Sequence, residues 1–168
     1  GSYALRANTT GAENSAFGQT AMRSNTTGYF NSAFGRSALY NNSTGFSNSA
    51  FGHSALRNNI NGVYTSAVGE FSLTSNTSGQ NNTAIGRAAL NANTTAGQNS
   101  ALGASALAAN TTGQRNLTLG TFAGSNQTTG SDNIYLANAG VAAESNTIRI
   151  GTPGAGAGTH GRAFIAGI

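Results

Sequence analysis

A 17-residue repeat runs through most of the sequence and constrains the fold more than any other feature. Residues 25–41 read NTTGYFNSAFGRSALYN, and residues 42–58 repeat the pattern as NSTGFSNSAFGHSALRN. Repeat units begin in strict register at Asn8, Asn25, Asn42, Asn59, Asn76, Asn93, Asn110 and Gln127. A fixed period of this size is typical of stacked units rather than of one globular core. The sequence therefore predicts an array, with residues 1–143 as the repeats and residues 144–168 as a C-terminal capping or neck segment.

Each unit follows the consensus N-T-T-G-x-x-N-S-A-Φ-G-x-S-A-L-x-x, in which Φ is a large apolar residue. Two glycines at fixed phase are typical of corners, where the backbone adopts angles that other residues reach only with strain. The segments between the corners have about four or five residues, which is too short for helices and sufficient for strands. We therefore predict an all-β fold, a parallel β-solenoid or two-layered β-roll with two short strands in each coil.

Alternation of side chains across a strand assigns the two faces of each unit. Ser32 and Phe34 share one face, whereas Ala33 lies on the other. We place the large residues between the two layers, as the core of the roll: Phe17, Phe34, Phe51, Val68, Ile85, Leu102 and Leu119 with Leu39, Leu56, Leu73, Leu90 and Leu107. The small residues then face outward as the candidate subunit interface: Ala16, Ala33, Ala50, Ala67, Ala84 and Ala101. The reverse assignment, with alanine inside, is the alternative.

Asparagine recurs at the seventh position of the units, and asparagine also fills the first position. The seventh-position column comprises Asn14, Asn31, Asn48, Asn82, Asn99, Asn116 and Asn133, with Thr65 interrupting it. A side-chain amide carries both donors and an acceptor, so stacked asparagines can bond along the rod and to turn backbone. We interpret both columns as structural.

The composition limits both the stability and the chemistry of a single chain. Burial of one Leu or Phe returns about 1.5–3 kcal/mol, and ordering each residue costs about 1–2 kcal/mol, so we infer that a second chain covers part of the surface. The net charge of +4 is too dispersed to predict nucleic acid as a partner. The four acids occupy different phases or coils, there is no cysteine, and no apolar run is long enough to span a membrane. These features predict a non-enzymatic protein without metal or cofactor.

Variable positions of the units carry a set of aromatic and basic residues that we interpret as a candidate binding surface. The set comprises Tyr29, Phe30, Tyr40, Phe46, Tyr64, Arg23 and Arg57. Exposed aromatic residues can dock carbohydrate or protein, and the alternative is that they pack between neighbouring chains. Paired threonines also recur, as at Thr26 and Thr27, but they lack the alternation of a flat ice-binding face.

The repeated pentapeptides Asn-Ser-Ala-Phe-Gly and Asn-Thr-Ala-Ile-Gly resemble the head repeats of YadA-like trimeric autotransporter adhesins. Residues 133–136, 146–151 and 164–168 look like the segment that precedes an intramolecular chaperone domain in bacterial and phage fibres. The resemblance implies a left-handed β-roll, a homotrimer, and a bacterial surface or phage virion as location. The 17-residue step is longer than the usual adhesin-head coil, so the resemblance supports a trimeric fibre segment more than a strict autotransporter.

Two hypotheses of function follow from these observations. The first is an extracellular homotrimeric fibre segment that attaches to a host surface protein or glycan, or the shaft of a phage tail fibre. The second is a monomeric solenoid that binds ice or glycan on one face. The oligomeric state separates the two hypotheses.

Overall fold

The structure, a computed structural model, describes residues 1–151, and in this range each coil contributes one short strand. The strands are β1 (Ser15–Phe17), β2 (Ser32–Phe34), β3 (Ser49–Phe51), β4 (Ser66–Val68), β5 (Thr83–Ile85), β6 (Ser100–Leu102), β7 (Leu117–Leu119), β8 (Ile134–Leu136) and β9 (Ile148–Ile150). They form one parallel sheet in chain order. Equivalent residues of successive units pair directly, as Ala33 does with Ala50. The predicted parallel β-solenoid is confirmed.

The second layer of each coil is not the strand that we predicted. In residues 37–41, Ser37 and Leu39 have positive φ angles of 58° and 50°. The adjacent residues Ala38 and Leu39 are both fully buried, which a strand cannot achieve because its side chains alternate. The coils still bond to each other, since the Ser37 N–H donates to Gln19 O and the Leu39 N–H donates to Ala55 O, each at 3.0 Å. Left-handed backbone at Leu39 therefore brings two neighbouring side chains into the core.

The core contains the alanine column, so our assignment of the strand faces was wrong and the reverse assignment holds. The predicted interface residues Ala33, Ala50, Ala67, Ala84 and Ala101 are buried, and Ala16 packs partly buried against the same core. The predicted core residues Phe17, Phe34, Phe51, Val68, Ile85, Leu102 and Leu119 are instead 40–72 % exposed. The other predicted core residues, Leu39, Leu56, Leu73, Leu90 and Leu107, are fully buried as expected. Because the second layer of a regular coil already contributes two adjacent side chains to the core, as Ala38 and Leu39 do, the facing strand there has room only for a methyl group.

The glycine that follows each of the strands β1 to β6 is required by both backbone angle and space. Gly35 has a φ of 142°, which side-chain-bearing residues adopt only with strain. A Cβ atom on Gly35 would lie 2.5 Å from the carbonyl oxygen of Gly52 in the next coil. A side chain at this position would therefore collide with the backbone of the next coil.

The C-terminal end closes the core with a larger side chain. Tyr135 replaces the alanine at the centre of β8 and is fully buried. Glycine at 124 and 140 makes room for it, since a Cβ at either position would lie about 3 Å from the ring. The sheet then continues into β9, past residue 143, with Ile134 paired to Ile148. Residues 152–168 of the predicted capping or neck segment lie outside the described residues.

We expect the C-terminal coil to lose stability as the pH falls, because of an ion pair in this cap. Arg149 donates to both carboxylate oxygens of Glu144 at 2.7–2.9 Å. These hydrogen bonds lower the pKa of Glu144, against the raising effect of burial. The stabilisation is therefore complete above the ordinary glutamate pKa of about 4.3, and it is lost as the pH falls through the lowered folded-state pKa.

The variant Glu144→Gln tests this ion pair. It should lower the free energy of unfolding by no more than about 1 kcal/mol at neutral pH, because solvent screens the pair, and should reduce the loss of stability in acid. Urea unfolding followed by circular dichroism at several pH values measures both effects. Glu13→Gln, which removes an exposed carboxylate at the other end of the rod, is the control. Equal behaviour of the two variants would show that the ion pair contributes nothing specific.

Candidate binding surface

The two asparagine columns lie inside the solenoid and hold its corners together. In the first-position column, Asn42 Nδ2 donates to Asn25 Oδ1 at 2.8 Å and to Gly45 O at 2.9 Å. In the seventh-position column, the Asn48 backbone N–H donates to Asn31 Oδ1 at 3.0 Å, and Asn31 Nδ2 donates to Gly45 O at 2.8 Å. These residues are fully buried. The hydrogen bonds that we predicted are present, and the columns are structural elements rather than binding groups.

The first-position column ends where its residue type changes. Gln127 takes the place of asparagine in the last unit, and its Nε2 donates to Glu144 O at 3.3 Å rather than to Asn110. Asn110 Oδ1 is consequently the one buried side-chain polar atom in residues 1–151 without a hydrogen-bond partner. The ladder is therefore complete within the regular repeats and interrupted at the cap.

The outer face of the sheet carries a continuous apolar column, which we call the strand-face ridge. It comprises Phe17, Phe34, Phe51, Val68, Ile85, Leu102 and Leu119, each 40 % or more exposed. The rings of Phe34 and Phe51 stack with centroids 5.0 Å apart and an angle of 2°. At the usual strand spacing of about 4.8 Å the ridge is about 29 Å long. Exposed apolar residues in an unbroken row of this length are typical of an interaction surface rather than of scattered surface residues.

A second exposed cluster lies at the corner before each strand, in units two to four. Tyr29 stacks on Phe46 with centroids 4.8 Å apart and an angle of 3°, and Phe46 meets Tyr64 edge-on at 5.2 Å. Phe30 packs edge-on against Tyr29 at 5.1 Å. Four of the predicted binding residues therefore form one aromatic cluster.

The other three predicted binding residues lie elsewhere, on the outer side of the second layer. The guanidinium carbons of Arg23 and Arg57 lie 5.6 Å and 5.5 Å from the centroid of the Tyr40 ring. Arg23 also donates a hydrogen bond to the Tyr40 hydroxyl. A cleft of about 380 Å³ lies between Arg6 and Arg23. Tyr40 is therefore separate from the aromatic cluster and belongs with Arg6, Arg23 and Arg57, with which it shares one phase of the repeat.

The acidic residues of the described chain take part mainly in local ion pairs. Asp132 pairs with Arg115 at 2.6 Å, and hydrogen bonds from this guanidinium lower the pKa of Asp132. Glu70 lies 3.5 Å from His53 in the preceding unit. Within residues 1–151 no group of three or more His, Cys, Asp or Glu side chains is arranged to hold a metal ion. These contacts hold neighbouring coils together.

The first threonine of each pair uses its hydroxyl group within the protein, whereas the second, such as Thr27, is exposed. Thr26 Oγ1 donates to Ser43 O at 3.0 Å, and Thr111 Oγ1 donates to Thr128 O at 3.1 Å. Hydroxyls committed to the backbone of the next coil are not free to order surface water. The pairs therefore leave at most one free threonine hydroxyl for each coil, which weighs against an ice-binding face.

Comparison with protein-family models, with curated proteins and with solved structures gave no match to this chain. Its function is therefore argued from its own surfaces. Among residues 1–151 there is no helix of the length and hydrophobicity that crossing a membrane requires.

Proposed function

We propose that this chain is a segment of an extracellular homotrimeric fibre, a rigid rod that serves in attachment. The observation that carries the proposal is the strand-face ridge, an exposed apolar row along the whole regular part of the solenoid. Burial of each half-exposed Phe, Ile or Leu side chain of the ridge would contribute about 1 kcal/mol. A row of seven such residues on one flat face supports parallel packing of identical rods.

The ridge replaces the alanine column as the subunit interface in this proposal. Residues beside it on the same face are small in the regular units, as Ser32 and Ser49 are, so a neighbouring sheet can approach closely. The proposed number of three chains comes from the resemblance to YadA-like head repeats. The same resemblance supports a bacterial surface or a phage virion as the location. Assembly would place several identical binding surfaces side by side, and this raises the avidity of weak contacts.

The experiment is a measurement of molar mass by light scattering after size exclusion, over a range of protein concentrations. The wild-type chain should have about three times the chain mass of 16.8 kDa. Placing two charges in the centre of the ridge with Val68→Arg and Ile85→Arg should give a folded monomer, because the buried charges would lack partners. Asn61→Arg, at an exposed position outside the sheet, should remain a trimer.

Two outcomes would contradict the proposal. A folded wild-type monomer at all concentrations would favour the monomeric solenoid that binds glycan. A trimer that survives both ridge substitutions would place the interface on another face of the rod.

A further inference from the structure

Three arginines and a tyrosine form a straight column on the outer side of the second layer. The column, which we call the Arg–Tyr column, consists of Arg6, Arg23, Tyr40 and Arg57, one residue from each of the first four coils. Tyr40 follows directly after Leu39, which is buried in the core. Because the second layer and the sheet enclose that core from opposite sides, the column points away from the strand-face ridge. It would stay open to solvent when the ridge is covered by neighbouring chains.

The positive charge of this column is not balanced by neighbouring acids. The three salt bridges among residues 1–151 use His53, Arg115 and Arg149, and none uses an arginine of the column. Further along the rod the same position carries uncharged residues, as at Thr74 and Asn91. The charge is therefore concentrated at the N-terminal end of one face, where it creates a local attraction for anions.

The contacts within the column hold the guanidinium groups in place. The guanidinium groups of Arg23, in the preceding coil, and Arg57, in the following coil, both contact the Tyr40 ring. Their carbons lie 5.6 Å and 5.5 Å from the ring centroid, within cation–π distance. Arg6 lies 5.4 Å from the ring of Tyr3 in the same way. A guanidinium that is already ordered loses less conformational entropy when it binds an oxyanion.

We propose that the Arg–Tyr column binds an acidic polysaccharide that carries sulfate or phosphate esters, with the polymer lying along the rod. Planar guanidinium groups bind such oxyanions through two parallel hydrogen bonds. From Arg6 to Arg57 the column spans three coil steps, about 14 Å at the usual strand spacing, which fits repeated anions on an extended chain better than one small ion. The cleft of about 380 Å³ between Arg6 and Arg23 gives one ester group a recessed position. This inference deepens the proposed attachment function and rests on it.

The same contacts disfavour single-stranded nucleic acid as the ligand. Proteins that bind single strands stack the bases on free aromatic faces. In the Arg–Tyr column, guanidinium groups from both neighbouring coils already cover the Tyr40 ring. Recognition here depends on charge and hydrogen bonding to ester groups rather than on stacking.

The test is binding of fluorescently labelled dextran sulfate, measured by anisotropy on the full chain. Uncharged dextran and a single-stranded oligothymidylate serve as comparison probes. The test variant is Arg23→Gln with Arg57→Gln. The matched control is Arg36→Gln with Arg87→Gln, which removes the same charge from two exposed arginines in a different column. The molar mass of every sample is measured in parallel, so that loss of assembly and loss of binding are read separately.

We expect dextran sulfate to bind in a salt-sensitive manner and the test variant to weaken binding about tenfold or more. The control should change binding less than about twofold if only dispersed charge is lost. Equal weakening by both variants, absence of binding to dextran sulfate, or tighter binding of the oligothymidylate would each overturn the proposal. If the double variant fails to fold, Arg57→Gln alone against Arg87→Gln decides the same question. If the chain binds dextran sulfate as a monomer, the proposed binding site is supported and the proposed trimer is contradicted.

Discussion

Replacing Ala67 by arginine should unfold the central part of the solenoid, whereas the same replacement at the next residue should not. Ala67 is fully buried between the two layers, and Val68 is 40 % exposed on the strand-face ridge. An arginine at position 67 would place an unpaired charge in a core that has room only for a methyl group. The expected loss is at least about 3 kcal/mol of unfolding free energy.

The loss should extend beyond one coil because each coil depends on its neighbours. Ala67 pairs in the sheet with Ala50 and Ala84, so a displaced β4 leaves β3 and β5 with one partner strand each instead of two. In stacked repeats the stability is a sum of unit terms and interface terms, and one broken unit costs two interfaces. The variant should therefore show two separate unfolding transitions, one for the coils on each side of the break, rather than a single transition at a lower temperature.

Thermal and urea unfolding followed by circular dichroism measures this effect, with Val68→Arg as the matched control. The control should keep the wild-type spectrum, because Val68 lies on the outer face of the sheet and the guanidinium reaches solvent once the substitution has separated the chains. If Ala67→Arg were as stable as Val68→Arg, the alanine column would have to face outward, as the sequence alone had led us to expect.

The fold class could be predicted because the repeat determines it almost without further information. A strict 17-residue period, two glycine corners and short segments allow few arrangements other than a parallel stack. The pairing of Ala33 with Ala50 follows directly from that period. The Asn columns were also predictable, since an amide repeated at one phase of a stack meets its own copy in the next coil.

The assignment of the two strand faces could not be predicted, because hydrophobicity alone places the larger residue in the core. The large Phe34 was expected inside and the small Ala33 outside, yet the space between the layers decides otherwise. The second-layer segment of this coil contributes both Ala38 and Leu39 to the core, and this depends on the positive φ of Leu39. Leucine rarely adopts that angle, so no propensity rule would have predicted it.

The residues of the candidate surfaces could be predicted from the sequence, whereas their contacts and their exposure could not. Tyr29, Phe46 and Tyr64 could be placed together because they occupy nearly the same phase of successive units. The alignment of Tyr40 with Arg23 and Arg57 could also be predicted, since the three occupy one phase of successive units, whereas their cation–π contacts required the structure. The ridge became a candidate interface only when the structure showed that its large residues are exposed.

Replacing Asn59 by alanine should cause the second large loss of stability, through the interior ladder. Asn59 Nδ2 donates to Asn42 Oδ1 at 2.8 Å and to Gly62 O at 3.0 Å, and Asn59 Oδ1 accepts from Asn76 at 2.8 Å. Alanine would leave these three buried partners short of one hydrogen bond each. Because a buried unsatisfied polar group costs about 1–3 kcal/mol, we expect a total loss of about 3 kcal/mol or more.

A second substitution at the same site separates hydrogen bonding from packing. Asn59→Asp keeps the size of the side chain but replaces the donor by a carboxylate that faces Asn42 Oδ1 and Gly62 O. At neutral pH it should be at least as destabilising as alanine, since both neighbours are acceptors and the charge is buried. Its folded-state pKa should be raised, so the protonated acid should regain stability relative to Asn59→Ala as the pH falls.

Urea unfolding at neutral and acidic pH measures these effects, and Asn61→Ala at an exposed position two residues away is the control. The control should change the unfolding free energy by less than about 0.5 kcal/mol. An Asn59→Ala variant as stable as the control would mean that water can replace the ladder. The buried amides would then add regularity to the stack without supplying its stability, and the leucine and alanine core alone would hold the coils together.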